Sequence, residues 1–144
     1  HIMSLSEKLL APAVRPAVSA DLAATIDTEV SNKRGLSGAA IKTGYAAAKK
    51  KADVPKVLNE NLEQITAIFD PYWEQFGGQG DFGAYLAGRG DEVTADILKV
   101  ADARAQATSR DQISKVYGSM RGKAADLIKE SLPAIGATLQ KHAG

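Results

Sequence analysis

Residues 109–131, SRDQISKVYGSMRGKAADLIKES, decide the fold class of this chain. Wound on an ideal helix of about 100° per residue, Ile113, Val116, Tyr117, Met120, Ala124, Leu127 and Ile128 fall within an arc of roughly 120°. That is the clearest core face in the sequence, and Ser109-x-x-Gln112 has the form of a capping box ahead of it. The segment loosely matches a helix-turn-helix with a turn near Gly118, but the unbroken apolar arc predicts a helix running straight through. Arg110, Lys115, Arg121, Lys123 and Lys129 also point in several directions, without making one groove-facing strip. Ser114, Gly118, Gly122 and Ala125 form a second strip of small residues on another side. Such a strip lets a second helix approach closely, within the fold or across a homodimer, whereas glycine otherwise costs a helix interior about 1 kcal/mol relative to alanine.

The same period recurs outward from this segment, with no alternating strand pattern. Ser4-x-x-Glu7 is a capping box for a short helix stopped by Pro12. Pro16 suits the first turn of the next helix, whose Val18, Leu22, Ile26 and Val30 make one apolar stripe. Gly35 reads as its left-handed stop, Leu36 as the apolar contact that follows, and Ser37 as the cap of a third helix carrying Ile41, Tyr45 and Ala48. Asp53 and Pro55 start a fourth, with Val57, Leu58, Leu62, Ile65, Ile68 and Phe69 facing inward. Asp70-Pro71 reads as a restart, 77–80 as a loop, Asp81 as a cap, and Asp91-Glu92 as a fresh first turn, so 82–107 can be one helix or two. Pro133 is expected to kink or restart the last helix, and Leu132, Ile135 and Leu139 continue its apolar face.

The bulk numbers exclude several classes. The chain has 144 residues, 44% of them hydrophobic and 24% charged, which fits one globular domain over residues 4–144. The leading HIM reads as a cloning remnant ending in the initiator methionine, which leaves His142 as the native histidine. With no cysteine there is no thiolate nucleophile, disulfide or cysteine-type metal site. No signal sequence or membrane-spanning run is legible, so a soluble cytoplasmic protein is expected. A net charge of +1, from 18 basic against 17 acidic residues, argues against nucleic acid as a partner. Lys49-Lys50-Lys51 reads as solvated lysines at a helix C-terminus.

Chemistry, if any, concentrates at 69–91. Phe69, Tyr72, Trp73, Phe76, Phe82 and Tyr85 are six of the chain's eight aromatics, and they share that stretch with six glycines. Gly78-x-Gly80-x-x-Gly83 spells the dinucleotide-binding fingerprint, but a helical segment precedes it where a strand is required, and Asp81 sits where phosphate would lie. Arg89-Gly90-Asp91 spells a cell-adhesion tripeptide, for which a helix end and a cap are a sufficient account. Asp81, Asp91 and Glu92 could do acid–base work with Arg89, yet no base, nucleophile or metal set converges with them in the sequence. No catalytic residue, cofactor or metal ligand is therefore assigned. The aromatics read first as core, with Trp73, Phe76 and Phe69 inside and Tyr72 nearer the boundary. Their functional reading is a pocket or partner groove walled by Tyr72, Trp73, Phe76, Phe82 and Tyr85, gated by the glycine loop and anchored by Arg89.

Three stretches, GLSGAAIKTGYAAAKK (35–50), GDFGAYLAGRGDEV (80–93) and LPAIGATLQKHAG (132–144), resemble a family of small, uncharacterised, all-helical actinobacterial proteins. The resemblance covers 4–144 and implies a bacterial cytoplasmic setting, with no established activity and no catalytic residue to carry over. The sequence thus predicts one all-α domain of about six helices. It further predicts a non-catalytic binding protein for a hydrophobic small molecule or a protein partner. A homodimer using the small-residue strip is the alternative, ahead of a carboxylate/Arg enzyme or a DNA-binding protein.

Overall fold

The S-x-x-E signal forms as expected: the Ser4 hydroxyl accepts from the Glu7 amide at 3.0 Å, and the Glu7 carboxylate accepts from the Ser4 amide at 2.8 Å. It opens α1 (Leu5–Leu9) in the computed structural model, which describes residues 3–144 apart from the side chain of Ile113. His1 and Ile2, two residues of the expected cloning remnant, lie outside the described residues. There follow α2 (Arg15–Asn32), α3 (Gly35–Lys51), α4 (Val54–Glu60), α5 (Leu62–Phe76), α6 (Phe82–Gly88), α7 (Gly90–Ala107) and α8 (Asp111–Ala143). Among the described residues there are eight helices and no strand. The number exceeds six because the helix expected over 53–69 divides at Asn61, and 82–107 divides at Arg89.

Proline breaks less than local rules predict. Pro71 lies inside α5 and Pro133 inside α8, and neither starts a new helix. Each proline is exposed, while buried neighbours on the other face, Phe69, Tyr72 and Trp73 in one case and Leu132 in the other, hold the helix in place. Packing of an apolar face outweighs the lost hydrogen bond. Asp70, read as a restart, instead accepts from the Ser6 amide at 2.8 Å and ties α1 onto α5.

The first turns of α3 differ from expectation too. Gly35 is left-handed at φ +79°, but it begins α3, so Ser37 caps nothing and Leu36 is 92% exposed. Gly38 takes the close contact instead, because a Cβ there would lie 2.5 Å from the Lys33 carbonyl oxygen. Asp53 and Asp81 do cap α4 and α6, accepting from the Lys56 and Ala84 amides. Ser109 does not cap α8, whose N-cap is Arg110 with no side-chain bond.

The core is built around α8, which packs on α6, α2, α7 and α1. Leu5 and Leu9 of α1, Leu62 of α5, Phe82 and Leu86 of α6, and Leu132 and Leu139 of α8 are fully excluded from solvent. Burial of each contributes about 1.5–3 kcal/mol. The arc from the first half of α8 is not the centre of this core. Val116 is 57% exposed, Tyr117, Met120, Ala124, Leu127 and Ile128 are only half-buried, and the side chain of Ile113 lies outside the description. The early part of α8 makes side-chain contacts with α7 and α3: Tyr117 donates to Asp102 at 2.6 Å, and a Cβ on Gly44 would meet Met120 Cε at 3.7 Å. Val57 is likewise 41% exposed, since the break at Asn61 turns α4 away from the line of α5.

Candidate functional site

The aromatics of 69–85 come together as packed rings. Trp73 and Phe82 meet nearly edge to face, with centroids 5.0 Å apart, and Phe76 lies 5.2 Å from Phe82 and 5.4 Å from Tyr85. Trp73, Phe82 and Tyr72 are buried and Phe76 is only partly so, which reverses the expected order of Tyr72 and Phe76. Tyr72 tolerates burial because its hydroxyl donates to the Asp96 carboxylate. Burial, reinforced by that carboxylate, pushes its phenol well above the usual range. Arg89 stacks over Tyr72 at 4.9 Å and Tyr85 at 5.7 Å while its guanidinium donates to both Glu92 oxygens at 2.8 Å. Its charge is already matched, chiefly by Glu92, which holds its pKa above the ordinary value.

The glycine loop is held closed by α8. Gly77, Gly78 and Gly80 have φ of +84°, +77° and +107°, which only glycine adopts freely. The Gln140 side chain accepts from the Phe82 amide at 2.9 Å and donates to the Gly80 carbonyl at 2.8 Å. Gly83, the third glycine of the fingerprint, has a different task. A Cβ on it would lie 2.3 Å from the Pro133 carbonyl oxygen, and a Cβ on Gly136 would lie 2.5 Å from Gly83 Cα. Two glycines, Gly83 and Gly136, let the backbones of α6 and α8 touch.

The acidic candidates do not converge. Asp81 caps α6, Asp91 pairs with Lys129 at 2.7 Å, and only Glu92 meets Arg89. Lys49, from the lysine run, pairs with Asp27 at 3.1 Å, and among the described residues no three His, Asp or Glu side chains could share a metal ion. Two buried polar atoms, Trp73 Nε1 and Thr94 Oγ1, find no hydrogen-bond partner among the described residues.

Beside the aromatic core lies a cavity of about 300 Å³. One wall is Ile65, Ile68 and Phe69 of α5 with Ile97 of α7. Facing it are Leu22 and Ile26 of α2 and Ile128 and Ile135 of α8, and Leu58 of α4 closes one side. Three polar residues touch it. Ser131 donates to the Leu127 carbonyl at 2.6 Å, and Thr25 donates to the Asp21 carbonyl at 2.9 Å and shares a 2.7 Å bond with Thr138. Their hydroxyls are thereby satisfied within the protein. The third, Glu29, lines both this cavity and a neighbouring polar recess formed with Asn32, Lys33, Arg34, Leu127 and Glu130. Sequence reading placed most of these aliphatic residues on inward faces. The gap between the faces has no local signature, because it depends on how five helices cross.

The small-residue strip of α8 is open. A Cβ on Gly118 or Gly122 meets nothing within 4 Å, and both glycines are exposed. Ser114 turns toward α7, donating to the Ala105 carbonyl at 2.9 Å, and Ala125 is half-buried. Among the described residues no helix uses the strip for close approach at its two glycines.

Fold and site together define an all-helical bundle with a half-open apolar cavity between its helices, and no described helix is long and apolar enough to cross a membrane. The chain belongs to the family of unknown function DUF6918, whose model matches residues 5–143. No curated protein and no solved structure matches it.

Proposed function

We propose that this chain is a non-catalytic binding protein that takes a hydrophobic small molecule into the cavity between α2, α4, α5, α7 and α8. The observation that carries this reading is the cavity itself, about 300 Å³ and walled by aliphatic side chains. Small-molecule sites are typically concave and mostly apolar, with volumes from about 300 Å³ upward. A dry aliphatic cavity of about 150 Å³ accommodates benzene, so this one has room for roughly a dozen non-hydrogen atoms. The aromatic region contributes Phe69 to the wall and, through its packed rings, a rigid flank. A cytoplasmic setting accords with the cysteine-free sequence.

Isoleucine δ1-methyl NMR tests the proposal. Ile26, Ile65, Ile68, Ile97, Ile128 and Ile135 line the cavity, whereas Ile41 is buried on α3 away from it. Naphthalene should shift those six resonances and leave Ile41 in place. Unmoved spectra at saturating naphthalene would refute the cavity as a site.

A second reading, a homodimer through Ser114, Gly118, Gly122 and Ala125, is favoured by the open surface over Gly118 and Gly122. Sedimentation at high concentration should then show a dimer that Gly118→Leu disrupts, and a monomer at every concentration would exclude it.

A further inference from the structure

The polar rim of the cavity, where Glu29 borders two neighbouring recesses, carries an inference about headgroup, which rests on the binding reading above. Inside the cavity the hydroxyls of Thr25 and Ser131 are engaged by Asp21, Thr138 and Leu127, so they have little left to offer a ligand. Glu29 differs. It lines both the apolar cavity and the polar recess, and among the described residues its carboxylate has no hydrogen bond or ion pair. Lys33, one helical turn on, is neutralised within the recess by Glu130, to both of whose oxygens it donates at 2.7 Å. Arg34 lines the recess but not the cavity. A molecule whose apolar body fills the cavity and whose polar end emerges into the recess therefore meets an unmatched carboxylate first.

We infer that the cavity is selective for single-chain amphiphiles with a cationic, hydrogen-bond-donating head, an alkylamine in the simplest case, and that Glu29 is the residue that reads the head. The apolar volume limits the chain to about a dozen non-hydrogen atoms, so a ten-carbon chain fits with its nitrogen at the Glu29 end. A charge-assisted N–H···O bond to a half-exposed carboxylate is about as strong as a tenfold change in affinity. An alkyl carboxylate of the same length would instead place like charge against Glu29.

Calorimetric titration of the full chain at pH 7 with decylamine, decanol and decanoate, each below its micellar concentration, tests this. The amine should bind about tenfold more tightly than decanol, and decanoate more weakly than either. Glu29→Gln should remove the preference for the amine while leaving decanol affinity unchanged, which also shows the variant is folded. Equal or tighter binding of decanoate would overturn the headgroup inference and leave the cavity reading intact. So would an amine preference that survives Glu29→Gln. Failure of all three ligands to bind the unsubstituted chain would overturn both.

Discussion

Exchanging one glycine for alanine should have opposite signs at two places on the same pair of helices. At Gly83 the new methyl carbon would sit 2.3 Å from the Pro133 carbonyl oxygen, against an ordinary C···O separation of about 3.3 Å. The neighbour is backbone, so no rotamer change relieves it, and α6 and α8 must part by about 1 Å over their whole contact. Overpacking of this kind costs about 1–3 kcal/mol, and alanine's helix propensity returns at most about 1 kcal/mol of it. The position is buried and on the most closely approached pair of helices, so the upper end applies and Gly83→Ala should destabilise by about 2 kcal/mol. At Gly118 nothing lies within 4 Å of the added carbon, and alanine should stabilise by about 0.5–1 kcal/mol. Urea unfolding followed by Trp73 fluorescence reads both. With a slope of about 2 kcal/mol per molar, the midpoint should fall by about 1 M for Gly83→Ala and rise by a few tenths for Gly118→Ala. A Gly83→Ala protein as stable as the parent would refute the backbone contact. The double variant Gly83→Ala/Gly136→Ala should lose less than the sum of its parts, because one separation of the helices relieves both overlaps.

Three further outcomes can be checked. Gln140→Ala leaves the Phe82 amide and the Gly80 carbonyl without their partner and should cost about 1–3 kcal/mol in the same urea assay, where Gln140→Glu, which restores only the acceptor, should recover part of the loss. The folded protein holds Asp21, Asp27, Glu63 and Asp102 below the usual carboxylate range, through hydrogen bonds first from His142, Tyr45, Arg15 and Arg121 respectively. Depressed carboxylates contribute fully above about pH 4–5 and lose that contribution as pH falls through their folded values, so the urea midpoint should drop between pH 5 and about 2, less steeply in Asp21→Asn; an identical pH dependence in that variant would contradict the assignment. Burial first, then Asp27, Asp96 and Asp102, raises the phenols of Tyr45, Tyr72 and Tyr117, so their contribution is complete below about pH 10 and lost above it. Absorbance at 295 nm should show their phenolates appearing at higher pH in the folded protein than in urea, and coincident titrations in the two states would argue against buried phenols.

What the sequence reveals here is what depends on neighbours along the chain. The Ser4 capping box, the Asp53 and Asp81 caps and the stripe from Val18 to Val30 are settled within a turn or two, and each forms. Errors arise where tertiary packing overrides local chemistry. Pro71 is carried through by buried faces, and Leu36 is left outside because Gly38 takes the contact with Lys33. The arc of α8 is real as a pattern, yet an arc records which residues share a side and says nothing of whether a partner covers them. The candidate site shows the same limit. Phe69 and six isoleucines are ordinary core residues by spacing, and only the crossing of five helices leaves room between them.

The long helix α8 lives in two environments. Its last turns carry Leu132, Gly136, Leu139 and Ala143 in the interior, whereas Val116, Gly118 and Gly122 of its first half face water. A continuous run of helical hydrogen bonds does not make its stability uniform, since each amide is protected only by the opening that frees it. Amide hydrogens near 132–143 should exchange with deuterium only when the whole domain unfolds, and those near 114–122 orders of magnitude sooner by fraying from the Asp111 end. The rod of α8 would then be a graded clamp, fast at one end and as slow as global unfolding at the other, with Leu127 and Ile128 of the cavity wall at the point where one regime passes into the other.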